Sequence, residues 1–324
     1  MPAGGVMIRM ALAFVLALAG WTQPAWAVCT ATAPSVAFGS YSPVSGNSGD
    51  VQGVITVTCT GVAVSARVRA CINIGTGSGG TSVSPRTLAN GASTLNFNIY
   101  TDSARTQPWG SRSTGTAAPP VMLDFAALLG NGSASASYYA QLPASQTAAT
   151  VGAYTSQFTG LNAEVTYIEY LLLPPDCSQL SSPSIPMTFT ASANVISDCN
   201  ISATPLDFGA VGLLAGNHDA TSTLTVQCTQ GAPYSIALNA GVGSGATVAA
   251  RRMTRSGGTQ MVAYQLFSDA NRTQPWGDGT QGTTAVSGTG NGVARTITVY
   301  GRVPGQTTPQ AGSYADTVTA TITY

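Results

Sequence analysis

The amino-acid sequence predicts an all-β protein built from two β-sandwiches in tandem. Valine, isoleucine, threonine and tyrosine recur in short runs of alternating apolar and polar residues, a period typical of strands with one buried face. Glycine (37 residues) and proline (18 residues) interrupt these runs at short intervals, as expected for turns between many strands. No segment of ten or more residues has a convincing helical period, and the two halves of the chain repeat each other.

The beginning of the chain has the pattern of an export signal. Arg9 precedes an apolar run at residues 10–20, and Ala-Trp-Ala at residues 25–27 has the small-x-small form that signal peptidase reads. We therefore expect residues 1–27 to be a signal peptide and the exported chain to begin at Val28. An apolar run of about ten residues is too short to span a bilayer, which takes about 20.

The composition limits the classes of function. Twelve arginines, twelve acidic residues and no lysine give a net charge of zero, and only 7% of residues are charged. A neutral chain offers no basic patch to nucleic acid, so nucleic acid is not an expected partner. Because 44% of the residues are apolar, the chain is expected to fold rather than stay disordered.

An internal repeat relates the two halves. The hexapeptide Arg-Thr-Gln-Pro-Trp-Gly occurs at residues 105–110 and again at residues 272–277, and each copy is preceded by a cysteine pair, with spacings of 30 and 29 residues. The alternating segments at residues 161–167 and 318–324 also match. Such similarity at matched positions indicates a duplicated domain.

The repeat and the chain length predict the domain boundaries. Roughly 300 residues remain after the signal, which suits two domains of ordinary size. We expect a first sandwich at residues 28–177, a linker rich in serine and proline at residues 178–186, and a second sandwich at residues 187–324.

Six cysteines in an exported protein are expected to form three disulfides. The repeat favours one connectivity among the fifteen that six cysteines allow. This connectivity is Cys29 with Cys59, Cys199 with Cys228, and Cys71 with Cys177. Zinc is not expected, because the chain has no C-x-x-C pair and a single histidine.

The second half resembles a known family. Its similarity to the spore coat protein U domain rests on its cysteine pair and on Pro-Leu-Asp-Phe-Gly at 205–209, Tyr-Gln-Leu-Phe at 264–267, Trp-Gly-Asp-Gly at 276–279, Val-Tyr-Gly-Arg-Val-Pro at 299–304 and Gly-Ser-Tyr at 312–314. The first half resembles the family more loosely: it keeps the cysteines, the Phe-Gly pair and the tryptophan motif but replaces the segment after Trp109.

The resemblance implies a role in a pilus. In Gram-negative bacteria this domain is the pilin of archaic, Csu-type chaperone-usher pili, and a two-domain member resembles the tip subunit. It implies immunoglobulin-like, pilin-type sandwiches, the second incomplete and completed by donor-strand complementation. The implied partners are a periplasmic chaperone, an outer-membrane usher, the next pilin subunit and an abiotic or host surface. The implied route runs through the periplasm to the pilus tip at the cell surface.

Two features of the residues fit this implication. With Cys29 as the second exported residue, no N-terminal extension is left to donate to a neighbour by strand addition, which suits the end of a fibre. An open apolar edge at the end of the chain would be an aggregation hazard unless a partner caps it. The expected acceptor edge consists of Val318, Ala320, Ile322 and Tyr324.

One further alternating segment has two interpretations. Its apolar residues, just upstream of Cys199 where an ordinary pilin carries its donor segment, are Met187, Phe189, Ala191, Ala193 and Val195. The segment either completes the sheet of the first sandwich in cis or forms the first strand of the second. Spacing leaves both interpretations open.

Residues suited to catalysis are few. His218 is the single histidine and lies in a turn-like stretch, and the two glutamates, Glu164 and Glu169, have no third group beside them. No nucleophile elbow, phosphate loop or metal motif occurs in the sequence, so we expect no enzyme activity and no cofactor or metal. The repeated Asp102 and Asp269 are expected to be scaffold, in a Trp-packed turn with an Asp–Arg contact.

The binding surface is expected where the first half departs from the second. The stretch from Trp109 to Pro143 is six residues longer than its counterpart and is apolar where the second half is rich in glycine and threonine. Another apolar departure follows Tyr167. The candidate residues are Val121, Met122, Leu123, Phe125, Leu128, Leu129, Leu171, Leu172 and Leu173. Each segment is either an exposed tip loop or core, and spacing does not separate the two.

These observations predict a pilus tip adhesin that attaches cells to surfaces and promotes biofilm formation through apolar loops of the first sandwich. Two alternatives stay open. One is a structural or adaptor pilin that is duplicated. The other is a carbohydrate-binding (lectin) tip in which Tyr138 and Tyr139 stack on sugars.

Overall fold

The computed structural model describes residues 27–114 and 117–324, which form two β-sandwiches. Nearly all of the predicted signal peptide lies outside the described residues. Within the described ranges the only helical segment is the 3-10 turn Gly160–Asn162, and no helix there is long and apolar enough to cross a membrane. The all-β prediction is therefore confirmed.

The first sandwich packs an eight-stranded sheet on a four-stranded sheet. Its strands are β1 (Val28–Thr32), β2 (Val36–Tyr41), β3 (Gly49–Thr60), β4 (Arg67–Ile74), β5 (Arg86–Asn90), β6 (Ser93–Tyr100), β7 (Val121–Ala126), β8 (Asn131–Leu142), β9 (Gly152–Phe158), β10 (Ala163–Tyr170), β11 (Ser184–Pro186) and β12 (Phe189–Val195). The strand orders are β1-β3-β8-β6-β5-β9-β12-β2 and β11-β10-β4-β7. One apolar core lies between these two sheets.

The second sandwich repeats this plan with fewer strands. They are β13 (Cys199–Ala203), β14 (His218–Cys228), β15 (Pro233–Leu238), β16 (Arg251–Arg255), β17 (Met261–Phe267), β18 (Val286–Thr289), β19 (Arg295–Val303), β20 (Tyr314–Ala315) and β21 (Ala320–Thr323). A six-stranded sheet, β13-β14-β19-β17-β16-β20, packs on a three-stranded sheet, β18-β15-β21.

Strand β12 decides between the two interpretations of its sequence. It lies between β9, to which it is antiparallel, and β2, to which it is parallel, and its apolar side chains are buried in the first core. The segment thus completes the first sandwich in cis. Strand β11, which was predicted to be linker, pairs with β10 in the same sandwich. The boundary therefore moves from before Met187 to after Val195, and only residues 196–198 separate the two sandwiches.

The three disulfides have the connectivity that the repeat favours, with Cys29–Cys59, Cys71–Cys177 and Cys199–Cys228. The first and third each join directly opposite residues on adjacent antiparallel strands. The second ties the chain beyond β10 to β4 and, with Leu180, forms a small cluster of its own.

The repeated tryptophan motif is scaffold, as predicted, but not by the contact that was predicted. Trp109 is fully buried, and its indole N–H donates to the carbonyl oxygen of Ile72 at 3.0 Å. The Asp102 carboxylate accepts from the backbone N–H of Thr106 and Gln107 rather than from an arginine of its own turn. The expected Asp–Arg contact is wrong, because each arginine pairs with an aspartate outside the turn: Arg105 with Asp50 at 3.3 Å and Arg272 with Asp219 at 3.2 Å.

Arg86 is a second scaffold residue, which the sequence did not single out. Its fully buried guanidinium donates to the amide oxygen of Asn98 and to backbone carbonyls that include those of Ile74 and Trp109. Burial lowers the pKa of Arg86 to about 9, well above neutral, so the group stays charged. Arg251 repeats the arrangement in the second sandwich, where it donates to the carbonyl oxygen of Trp276 at 3.0 Å.

Candidate functional site

Three loops leave the first sandwich at one end, at residues 61–66, 127–130 and 171–173. The strand register places them together, because Arg67 at the start of β4 lies opposite both Ala126, the last residue of β7, and Tyr170, the last residue of β10. The Val62 N–H also donates to the carbonyl oxygen of Gly130 at 3.1 Å. These three loops are called the tip loops below.

The tip loops carry six large apolar side chains that are mostly in water. Their exposed fractions are 93% for Val64, 80% for Leu128, 93% for Leu129, 71% for Leu171, 88% for Leu172 and 93% for Leu173. Isolated exposed apolar residues are common, but six on three adjacent loops form a surface typical of interaction sites.

The other candidate residues lie on β7 and divide between its two faces. Phe125 is buried in the first core, and Val121 and Leu123 are half-buried against it, whereas Met122 points outward and is half exposed. The proposal that Val121, Leu123 and Phe125 belong to the binding surface is therefore wrong. The physical reason is strand alternation, which turns every second side chain of β7 toward the facing sheet.

An ion pair behind the tip loops holds two of them in place. Arg69 on β4 pairs with Asp124 on β7 at 2.6 Å and donates to the carbonyl oxygen of Pro175, beyond the leucine loop, at 3.0 Å. The hydrogen bond from Arg69 holds the pKa of Asp124 below its ordinary value. The tip loops are thus anchored to the sheet by charged and polar groups that stand behind the apolar side chains.

Two residues of the first sandwich differ from expectation. Val64 was not among the candidates. It is a single apolar residue in a short loop, and nothing in the surrounding sequence indicates that it is exposed beside other apolar residues. Tyr138, a candidate for stacking on sugars, is buried, and a Cβ atom on Gly53 would lie 2.5 Å from its ring. A ring covered in this way cannot stack on a carbohydrate.

The second sandwich has an open apolar groove. Two connected cavities of about 480 and 440 Å³ share Leu206, Phe208, Met253 and Tyr314 as lining residues. The groove runs between residues 206–211, which form no strand, and β20.

The internal repeat explains where this groove comes from. Aligned on their Phe-Gly pairs, residues 206–211 are the counterpart of β2, and Gly-Ser-Tyr at 312–314 is the counterpart of Gly-Ala-Tyr at the start of β9. Phe208 keeps the edge-to-face contact with Tyr264 at 6.1 Å that Phe38 makes with Phe97 at 5.9 Å. The groove therefore occupies the place that β12 fills in the first sandwich.

Burial at matched positions supports this comparison. Six positions are fully buried in the first sandwich and only half-buried in the second. The pairs are Val36 and Leu206, Leu88 and Met253, Tyr154 and Tyr314, Phe158 and Val318, Ala163 and Ala320, and Val165 and Ile322. The second core thus lacks the cover of one strand.

The chain is similar to known proteins in sequence. The model of the Spore Coat Protein U domain matches residues 16–160 and again residues 185–321. The chain belongs to the Spore Coat Protein U domain family. Protein U of Myxococcus xanthus is 36% identical to it over 162 residues, which span 44% of this chain and 89% of Protein U.

The fold of this family member is similar to those of solved structures. A CsuC–CsuE chaperone and tip subunit pre-assembly complex, from the archaic chaperone-usher Csu pili of Acinetobacter baumannii, contains a chain 17% identical, with a TM-score of 0.51 over 92% of this chain and all of that chain. The CupB6 tip adhesin of Pseudomonas aeruginosa is 10% identical over 91% of this chain and 93% of its own, with a TM-score of 0.38. The first of these likenesses supports the fold.

The predicted acceptor edge lies only partly in the groove of this family member. Val318 and Ala320 line it, and Ile322 packs on the second core beside them. Tyr324 is half exposed, and its hydroxyl donates to Asp198 at the junction between the sandwiches, at 3.1 Å. The groove residues that were missed are Leu206, Phe208, Met253, Leu266 and Tyr314. The difference in burial between matched positions of the two repeats identifies these residues. Burial is known only from the three-dimensional structure, so the sequence could not identify them.

The Asp316 carboxylate of the groove is paired within the chain. The Tyr264 hydroxyl donates to the Asp316 carboxylate at 2.7 Å, and burial, together with this hydrogen bond, raises the pKa of Tyr264. Across the described residues, no three His, Cys, Asp or Glu side chains come together as metal ligands. The groove is thus suited to an apolar segment rather than to a charged ligand.

Proposed function

We propose that this chain is the tip adhesin of a pilus assembled by a chaperone-usher pathway. The observation that carries the proposal is the difference between the sandwiches: the first is closed by its own β12, and the second has an open groove at the matched place. A subunit with one closed and one open sandwich is suited to bind with the first domain and to join a fibre with the second.

The positions of the two surfaces support this division of labour. In the pairing of β3 with β8, Thr60 lies opposite Asn131 at the tip end and Gly49 lies opposite Leu142 at the other end. Tyr41, which pairs with the last residue of β12, also donates to the carbonyl oxygen of Pro143 at that other end. A strand rises by about 3.3 Å per residue, so the twelve residues of β3 separate the tip loops from the last residue of β12 by roughly 40 Å.

The tip loops are suited to surfaces that offer no specific chemistry. A leucine side chain that is completely removed from water contributes roughly 1.5–3 kcal/mol, and five of the six exposed tip residues are leucines. Only part of each side chain is covered on a flat surface, so these values are upper bounds. We propose attachment to abiotic or apolar host surfaces, and biofilm formation, by this route.

The partners that we propose are proteins that would cover or fill the groove. A periplasmic chaperone would cover it during export, an outer-membrane usher would receive the complex, and the next pilin subunit would then supply the permanent strand by strand addition. An uncovered apolar groove would make the chain prone to aggregation. The proposed final location is the end of a pilus at the cell surface.

The adhesive role is tested by replacing the tip leucines with serine. Cells with pili that carry Leu128→Ser, Leu129→Ser and Leu172→Ser together should attach to polystyrene more than tenfold less than wild type, because losing about 1.4 kcal/mol of contact energy already lowers binding tenfold. Leu161→Ser is the matched control: Leu161 is 75% exposed but precedes β10, whose other end bears the tip.

Two outcomes of that experiment would contradict the proposal. Undiminished attachment by the triple variant would remove the tip loops from the adhesive surface. An equal loss in the Leu161→Ser cells would mean that exposed leucine in general, rather than this end of the molecule, determines attachment. The amount of piliation, measured by shear and immunoblot, must be the same in all strains.

A further inference from the structure

Compared with the first sandwich, the second lacks one continuous segment. The four-stranded sheet β11-β10-β4-β7 is matched by three strands, β21-β15-β18, and the missing member is the counterpart of β11. In the other sheet, eight strands are matched by six: the counterpart of β2 is present as residues 206–211 but forms no strand, and the counterpart of β12 is missing. Because β11 and β12 are consecutive, the missing piece corresponds to residues 184–195 of this same chain.

The course of residues 184–195 shows what such a piece does. Ile185 pairs with Val165 at the edge of one sheet, the Met187 N–H donates to the carbonyl oxygen of Ala163 at 2.9 Å, and β12 then enters the other sheet. In the second sandwich, the counterpart of β10 is β21, which lies at the edge of its sheet with only β15 beside it. A completing segment thus has two places to pair, the edge of β21 and the groove.

The neighbours of β12 determine which side chains fit at each position. Phe189 stacks on Phe158 with ring centres 4.5 Å apart, and the counterpart of Phe158 is the smaller Val318. The second sandwich therefore leaves room for a large apolar side chain at this position.

The next two inward positions favour small side chains. Ala193 lies opposite Tyr154, whose counterpart Tyr314 is also a tyrosine. Ala191 lies beside Val36, whose counterpart is the larger Leu206. Neither neighbour is reduced in size in the second sandwich, so a bulky residue at either position would collide with the groove wall.

We infer that the second sandwich selects a partner strand of about twelve residues that spans both of its sheets. This strand pairs first with β21, then runs antiparallel to β20 and parallel to residues 206–211. Along its inward face it carries one large apolar residue and then two small residues, in the order of Phe189, Ala191 and Ala193. The inference rests on the proposed function, in which a neighbouring subunit supplies the strand.

The test uses the full chain with its own segment copied behind Tyr324. Tyr324 is the counterpart of Tyr167, and sixteen residues (168–183) separate Tyr167 from Ser184. A Gly/Ser linker of that length followed by a second copy of residues 184–195 therefore recreates the connection of the first sandwich. The copy should raise the melting temperature of the second sandwich by roughly 10 °C or more and should remove its dependence on a chaperone.

Variants of the appended copy test the size pattern. Ala193→Phe in the copy should abolish the rise in melting temperature, whereas Asn194→Phe, at a position that is exposed in the first sandwich, should preserve it. Phe189→Ala in the copy should reduce the rise by about half. A copy with large residues at 191 and 193 and alanine at 189 should have no effect.

The outcomes separate this inference from the proposed function. If every copy with alternating apolar residues stabilises the chain equally, or the reversed pattern stabilises it better, the size selection is overturned while strand acceptance stands. If no copy changes the second transition, and the unextended chain is stable and protease-resistant without a chaperone, both the inference and the proposed function are overturned.

Discussion

Phe189 is the residue at which completion of the first sandwich in cis is tested most directly. Its side chain is 5% exposed and stacks on Phe158 with ring centres 4.5 Å apart and planes 4° apart. Truncating a buried phenylalanine to alanine costs about 3–5 kcal/mol, because both the transfer energy and the packing around the new cavity are lost. For a domain of this size, 1 kcal/mol shifts the melting temperature by roughly 2–4 °C, so Phe189→Ala should lower it by roughly 6–20 °C.

The assay is scanning calorimetry of the full chain, with Thr190→Ala as the matched control. Thr190 follows Phe189 on the same strand but is half exposed, so its truncation should shift the transition by no more than about 2 °C. The first-sandwich transition should fall in the Phe189→Ala chain while the other stays in place. A fall confined to the second sandwich, or a loss below about 1 kcal/mol, would refute the assignment of this strand to the first core.

Further predictions concern the scaffold of the first sandwich. Arg86→Met should destabilise it by about 3–5 kcal/mol, measured by urea unfolding, because the buried carbonyl oxygens of Ile74, Gly75 and Trp109 lose a charged donor; a loss under about 1 kcal/mol would contradict this. The pKa of Asp124 is lowered by Arg69, so this pair stabilises the fold above the unfolded pKa of about 3.9 and ceases to do so as the pH falls through the lower folded value. The difference in melting temperature between wild type and Asp124→Asn should therefore be largest at neutral pH and shrink as the pH falls below the unfolded pKa of about 3.9; a constant difference would exclude the ion pair as its cause. Replacing Cys71 and Cys177 with serine opens a loop of 106 residues and should cost roughly 4–5 kcal/mol in the chain-entropy model, which calorimetry under non-reducing conditions would measure.

Much of this organisation could be predicted because the chain is duplicated. The matched cysteine spacings favoured the disulfides, and the repeated hexapeptide located Trp109 and Trp276, both fully buried. The buried Arg86 and Arg251 escaped notice, although they also repeat, because an isolated arginine gives no sign in the sequence that it will donate to several carbonyl oxygens.

The candidate binding residues could be predicted only in part. Leu128 and Leu129 belong to an exposed turn, while Phe125, three residues earlier, is core. The local sequence around an apolar residue does not show whether that residue lies in a strand that faces the core or in a loop that faces water. Which of these applies depends on where the strand ends, and boundaries are the weakest part of any prediction from sequence.

The sequence by itself determined the all-β class, the duplication and the absence of recognisable catalytic motifs, because each depends on composition, on period or on spacing along the chain. It favoured the disulfide pairs, which the structure then confirmed. Only the tertiary structure decided that residues 189–195 close the first sandwich, that the second keeps an open groove, and that Val64 joins the leucines at one end. The physical reason is that strand alternation specifies which face is buried but not which strand lies alongside. That choice depends on contacts between residues far apart in the chain, such as Ala191 beside Val36.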